Sequence, residues 1–301
     1  MHACHRLIFS KYNGIYYQSW QATVKSADGP LSNGLLHRSN QLMHREVKVA
    51  LKYRWGLLYN RLAFKWGMAP SILCPLCGNE DGGTHMVSGC QHSSMQGMYT
   101  ERHNKIGRII IRAILNGDRG GGICSMDLGS GDKAAADGVG IPVPRFVPPA
   151  ILPLLQTRAL HKLKPDVLMV SGNVGTSPAN RQVHIVELKC CQDTRPDAPL
   201  QRATEQHAEL RQQLIAAGYS ESNIHIVPIL IGVSGTIYKQ HTLDSLHKLG
   251  VTRANARRCA SKLHEQAIKC MHSIVTTRHA LAHSTAHNNN GCTRAPHPNP
   301  P

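Results

Sequence analysis

Acidic residues are scarce in this chain of 301 residues: 18 Asp and Glu stand against 34 Lys and Arg, giving a formal net charge of +16 with His neutral. An imbalance of that size calls for an anionic partner. Aromatics are also few, 3 Trp, 8 Tyr and 3 Phe, so the core must be mainly aliphatic. The hydrophobic content of 41% is adequate for such a core and excludes a wholly disordered chain. Long apolar runs are missing. The longest, Ile224 to Val233, is interrupted by Pro228 and falls short of the about 20 residues of a bilayer-spanning helix, so no membrane partner is expected. The opening MHACHRLIFSKYNG has no continuous apolar stretch followed by a small-residue cleavage site, so no secretory leader is expected. The 10 Cys are therefore expected as reduced thiols or metal ligands of an intracellular protein.

From Asn40 to Trp66 the spacing of Leu42, Met43, Val47, Leu51, Leu58 and Leu62 predicts an amphipathic helix capped by Asn40. Its other face carries Arg45, Lys48, Lys52, Arg54, Arg61 and Lys65, interleaved with Tyr53, Trp55, Tyr59, Phe64 and Trp66. Cations beside stacking surfaces are what a single-stranded nucleic-acid site uses. The same pattern also describes core aromatics and a solvated basic face, and both readings stand at this point.

Next come Cys74, Cys77, His85 and Cys90, in a C-x2-C-x7-H-x4-C spacing with Gly78, Gly82, Gly83 and Gly89 between and around them. Three thiolates and an imidazole make a closed tetrahedral set for a structural Zn²⁺, with no open position for catalysis. His92 is a substitute ligand the spacing leaves open. Ser93 to Leu115 reads as a helix with Ile106, Ile109, Ile110, Ala113 and Ile114 on one stripe and an i, i+4 Glu101–Lys105 pair on the other. Residues 116–150 hold eight of the 26 Gly and show no periodicity, which predicts a linker.

The chemistry-bearing stretch begins at Lys164-Pro165-Asp166. Two β-rich runs, Val167 to Val170 and Val183 to Lys189, flank a turn-rich segment and predict a hairpin. Neighbouring strands lie about 5 Å apart, so Asp166 can meet Glu187. Glu187 and Lys189 share a face because strand side chains alternate. Two carboxylates and an ammonium on one strand pair suit metal-assisted phosphodiester hydrolysis: the acids hold Mg²⁺ or Mn²⁺ and the lysine positions water or offsets developing charge. A charge ending an apolar strand also serves as a guard against edge pairing, which is the plainer reading of the same residues. Leu200, Ala203, His207, Leu210 and Leu214 then predict a helix ending at Gly218, and Ile224 to Val233 a buried strand. Gln206 and Arg202, on the polar side of that helix, are candidates to assist.

Pro165-Asp166 with Glu187-Leu188-Lys189 resembles the PD-(D/E)XK restriction-like nuclease motif. With the knuckle, the Arg102-His103 pair, Val227-Pro228-Ile229, Gly232, Gly235 and Leu249-Gly250 in order, residues 45 to 280 resemble the C-terminal region of site-specific non-long-terminal-repeat retrotransposon polyproteins. The resemblance implies a restriction-endonuclease-like α/β core, a mixed sheet flanked by helices, preceded by a helical segment with a small zinc knuckle. It implies nicking of chromosomal DNA to prime reverse transcription, with Arg102, His103 and the knuckle's flanks on nucleic acid. Its partners would be the DNA target, the element RNA and a reverse transcriptase module on a longer or separate chain, in the nucleus. The chain departs from that pattern in having no Asp-Asp pair for a polymerase site and a long interval between Asp166 and Glu187. A fragment, a split reading frame or a decayed copy is expected, and a catalytically inactive binding relic is the rival reading.

The expected organisation is a basic aromatic-rich helical segment over 1–70, the knuckle and its helix over 71–115, a linker over 116–150, the nuclease domain over 151–282 and a disordered tail over 283–301. Within the nuclease domain Thr252 to Ala282 reads as one long helix, with Arg253, Arg257, Arg258 and Lys262 near its start.

Overall fold

The computed structural model describes residues 25–37, 40–55, 57–58, 60–118, 123–126, 165–171 and 176–290. The expectations for residues 1–24, for Tyr59, for Lys164, for most of the 116–150 linker and for the tail beyond 290 lie outside the described residues.

The helices in chain order are α1 (Gly29–Ser32), α2 (His44–Arg54), α3 (Asn60–Lys65), α4 (Ser93–Leu115), α5 (Asp197–Glu205), α6 (Ala208–Ala216), α7 (Ser245–Lys248) and α8 (Arg253–Asn290). The strands are β1 (Ile123–Met126), β2 (Val167–Ser171), β3 (Gln182–Cys191) and β4 (Ile224–Gly232). They form one mixed sheet in the order β1-β2-β3-β4, so the protein is α/β. β1 with β2 and β2 with β3 are antiparallel, and β3 with β4 is parallel. A parallel neighbour needs a crossover, and α5 and α6 supply it.

Each face of the sheet is covered. Val167, Met169, Val186, Leu188, Val227 and Ile229 pack against the isoleucine stripe of α4 and against Ala256, Cys259, Leu263 and Ala267 of α8. On the opposite face Leu168, Val170, Val183 and Ile185 meet Leu210 and Leu214 of α6. This is why β2 is a continuous apolar run from Val167 to Val170: a strand buried on both faces has no solvent side to make polar. The helix α6 ends where expected, with Gly218 at φ +92°. Its N–H donates to Ile215 O (3.0 Å) and that of Tyr219 to Leu214 O (3.1 Å), a left-handed cap that glycine adopts without a Cβ penalty.

The structure departs from the sequence expectations in several places. The helix expected over 40–66 is two, α2 and α3, and the segment between them contains Gly56, which costs about 1 kcal/mol in a helix interior. The single helix expected to end at Gly218 is also two, because His207 leaves helical geometry at φ −107°, ψ 9°. Within the linker, Ile123–Met126 forms β1; four residues carry too little periodicity to be read, and pairing with β2 decides their conformation. Residues 283–290, assigned to the tail, continue α8.

Candidate metal centre and carboxylate site

The knuckle is a tight turn closed by backbone bonds. Cys74 N–H donates to Asn79 O (2.7 Å) and Gly78 N–H to Cys74 O (3.0 Å), with Gly78 at φ +74°. A bridge between Leu73 and Glu80 closes its base. His85 follows on a π-helical turn, His85–Gly89, and Cys90 comes just before α4. One ligand atom from each of Cys74, Cys77, His85 and Cys90 falls within 4.8 Å of the others. The Cys74 and Cys90 sulfurs are 3.9 Å apart, and Cys77 Sγ is 3.3 Å from His85 Nε2. Tetrahedral zinc with its usual bond lengths sets these separations at roughly 3.8 Å and 3.6 Å. The four residues therefore form a site compatible with zinc, and His92 is not one of them.

The knuckle is built into the rest of the fold. Tyr99 Oη donates to Met86 O (2.9 Å), and Arg102 to Val87 O (2.8 Å). Cys74, Cys90, Met95 and Tyr99 pack on Ile274 of α8, and Arg278 of α8 forms a buried ion pair with Asp81 at 2.5 Å.

Beside the middle of α4, the pairing of Val167 with Val186 brings Asp166 beside Glu187. Asp166 Oδ2 accepts the Leu188 N–H (2.6 Å), and Oδ1 lies 3.1 Å from Nε2 of His103 on α4. Glu187 accepts Lys189 Nζ on Oε1, and Oε2 is 2.7 Å from His207 Nε2. Lys189 also donates to Gln206 Oε1 (3.0 Å). Burial favours the neutral form of Glu187, yet the His207 bond and the Lys189 charge hold it below the ordinary carboxylate range. Burial likewise works against a charged His103, and Asp166 outweighs it, raising this imidazole above its ordinary value. Glu187 is thus an anion at neutral pH. His103 and Lys189, each about three-tenths exposed, face the two acids from the solvent side.

Asp166, Glu187, Lys189 and Gln206 are brought together as the sequence suggested. His103, assigned to nucleic acid, is part of this cluster. His207 went unrecognised because its spacing matches the apolar face of α5 and α6; a fully buried imidazole adjoining Gln206 is the signal that could have found it. Arg202 is exposed and makes only a long bond to its own helix, Ala198 O at 3.4 Å.

The expected nucleic-acid contacts divide. Arg45, Lys48, Lys52 and Lys65 are exposed. Two are corrected. Arg54 donates to Ser32 O (2.7 Å) and to Ser234 O and Oγ (both 3.0 Å), bracing α2 against the turn after β4. Arg102 is 4% exposed and spent on Val87 O and the Tyr99 ring, so it cannot reach a phosphate. The Arg61 side chain lies outside the described residues. Of the aromatics, Tyr53 is core, whereas Trp55, Phe64 and Trp66 are exposed.

No protein-family model matches the chain, and no characterised protein matches its sequence significantly. Among the described residues no helix is long and apolar enough to cross a membrane.

Proposed function

We propose that the chain is a metal-dependent DNA endonuclease, a fragment of a non-long-terminal-repeat retrotransposon polyprotein that nicks target DNA for target-primed reverse transcription. The observation that carries this reading is the convergence of Asp166, just before β2, with Glu187 and Lys189 of the paired strand β3, His103 reaching them from α4 and Gln206 and His207 from the break between α5 and α6. The order helix, three antiparallel strands, helices and a fourth parallel strand supports a restriction-like core.

The donor set fits a hard cation, being carboxylate oxygens at adjoining strand positions. Asp166 and Glu187 would hold Mg²⁺ or Mn²⁺, which when bound polarises a phosphoryl oxygen and acidifies a water. Leu188 N–H and His207 fix the far oxygens of the two acids, orienting them at no cost during the reaction. Lys189, steadied by Gln206, offers positive charge where the attacked phosphate gains negative charge. The exposed Arg45, Lys48, Lys52 and Lys65, with Trp55, Phe64 and Trp66 between them, would grip the nucleic acid. The zinc knuckle would hold that surface in register with the cut.

A second reading, a zinc-knuckle binding module without catalysis, is favoured by one observation: His103 and Lys189 already stand against the two acids, so protein cations occupy the place a metal ion would take. A supercoiled-plasmid nicking assay separates the two. Wild type should nick with Mg²⁺ or Mn²⁺, and Asp166→Ala, Glu187→Ala or Lys189→Ala should each lose roughly a hundredfold or more, the size of single electrostatic contributions to catalysis. Binding should stay nearly intact in all three. Tight binding with no metal-dependent nicking by wild type leaves the binding module.

A further inference from the structure

Among the described residues β4 is the last strand of the sheet, and its outer edge is used unevenly. In its second half that edge is satisfied from outside: Ser245 Oγ donates to Pro228 O (2.9 Å), Thr242 Oγ1 donates to Leu230 O, and Gly232 N–H donates to Thr236 O (2.9 Å). Those three residues mark one side of the strand. Because both main-chain groups of a strand residue point the same way and successive residues alternate, Ile224 and Ile226 face that side as well. The Ile224 N–H is taken by Glu221 O. Ile224 O and the N–H and C=O of Ile226 are left, and no described strand pairs with them.

Over those groups lies a groove of about 670 Å³, walled by Thr204 and Arg211 on the α5–α6 side and by Lys248 of α7. His184 and His225 line it with rings 5.2 Å apart, and no carboxylate is among its lining residues. Arg211 meets Glu221 at 3.0 Å on the rim, where Glu221 is 64% exposed, so the pair is cheap to exchange.

We propose that this edge is a strand-addition site for an extended acidic peptide of a partner protein. Alternating backbone donors and acceptors recognise another main chain in extended form and have no counterpart in a sugar–phosphate backbone. The flanking Arg211 and Lys248 select carboxylates in that peptide. Pro228, which has no N–H to offer, sets the end of the pairing, so the added strand covers Ile224 to Val227, roughly 13 Å of chain. The proposal is independent of whether the carboxylate site cuts DNA.

The probe is a fluorescein-labelled peptide of alternating Glu and Val, followed by fluorescence anisotropy with the full chain. Saturable binding is expected, with slowed amide hydrogen exchange at Ile226. Substituting Pro for every Val in the peptide should weaken binding roughly tenfold or more by removing donors. Arg211→Glu with Lys248→Glu should do the same by reversing the charge. If that pair disturbs folding, judged by circular dichroism, Arg211→Gln with Lys248→Gln gives the same test. Equal affinity for the Pro-containing peptide would overturn the proposal, as would no binding at millimolar peptide. Unchanged exchange at Ile226 together with displacement of the peptide by an oligothymidine strand would make the groove a phosphate site and overturn it too.

Discussion

Arg278 and Asp81 tie the Cys3His knuckle to α8, and the cost of cutting that tie can be worked out. Their side chains are 4% and 0% exposed, with Nη2 2.5 Å from Oδ2. Arg278 also donates to Leu58 O at 3.3 Å, and Asp81 is held in the knuckle by its own N–H on Ile72 O at 2.9 Å. Arg278→Met keeps most of the aliphatic volume and removes the charge, so the buried Asp81 carboxylate loses its guanidinium partner. Breaking one side of a buried pair in this way costs about 3–5 kcal/mol, whereas replacing both partners with groups of similar shape is close to neutral. Asp81→Asn with Arg278→Met should therefore recover most of the loss. A chain of this size shifts its melting temperature by about 2–4 °C per kcal/mol, so the single variant should melt roughly 6–20 °C lower and the double variant near wild type. Zinc release to a chromophoric chelator gives a local reading and should be faster in the single variant. A loss under about 1 kcal/mol for Arg278→Met, or a double variant no better than the single, refutes the reasoning.

Cys77→Ser should abolish about one equivalent of bound zinc and unfold the knuckle, because a closed site contributes folding free energy; elemental analysis finding equal zinc in the two proteins would remove the assignment. His264 is buried, donates Nδ1–H to Gly235 O at 2.6 Å and is pushed down to about 4 by burial. The unfolded chain therefore binds the extra proton first, and stability present above about pH 6.5 falls as the pH drops towards 4, by up to about 3 kcal/mol. Urea unfolding at neutral and acid pH should show a smaller acid loss for His264→Gln than for wild type, and parallel losses would exclude this histidine as the cause. Replacing Arg45, Lys48 and Lys52 with Ala should flatten the slope of log affinity against log salt by roughly 2–3, near 0.9 per phosphate contact; an unchanged slope would mean that this face does not meet phosphate.

The candidate metal site was legible because its four residues are close in sequence. Cys74 and Cys77 share one turn, and His85 and Cys90 follow within one π-helical turn, so spacing alone confines the four side chains. The hairpin was legible for a similar reason: β2 and β3 are neighbours joined by one segment, and the side-chain period of two sets Glu187 and Lys189 on one face. The breaks at Gln206–His207 and between α2 and α3 were not, since a helical period continues across a break that costs little locally. His207 illustrates the difficulty, because an imidazole at an apolar position is the same letter whether it meets a core or a carboxylate.

The sequence by itself determined the charge, the aliphatic core, the Cys-x2-Cys pair with its nearby His and Cys, and the shared face of Glu187 and Lys189, all of which follow from composition or from residues a few positions apart. Tertiary structure alone decided which cations remain outside. Arg45, Lys48 and Arg54 belong to one helix, yet only the last meets Ser234, some 180 positions along the chain, and is drawn into the fold. It also decided that adjacent residues on α4 part company, Arg102 turning to Val87 and His103 to Asp166. Side chains about 100° apart on a helix face different neighbours, and the neighbours come from β2 and the knuckle rather than from the helix.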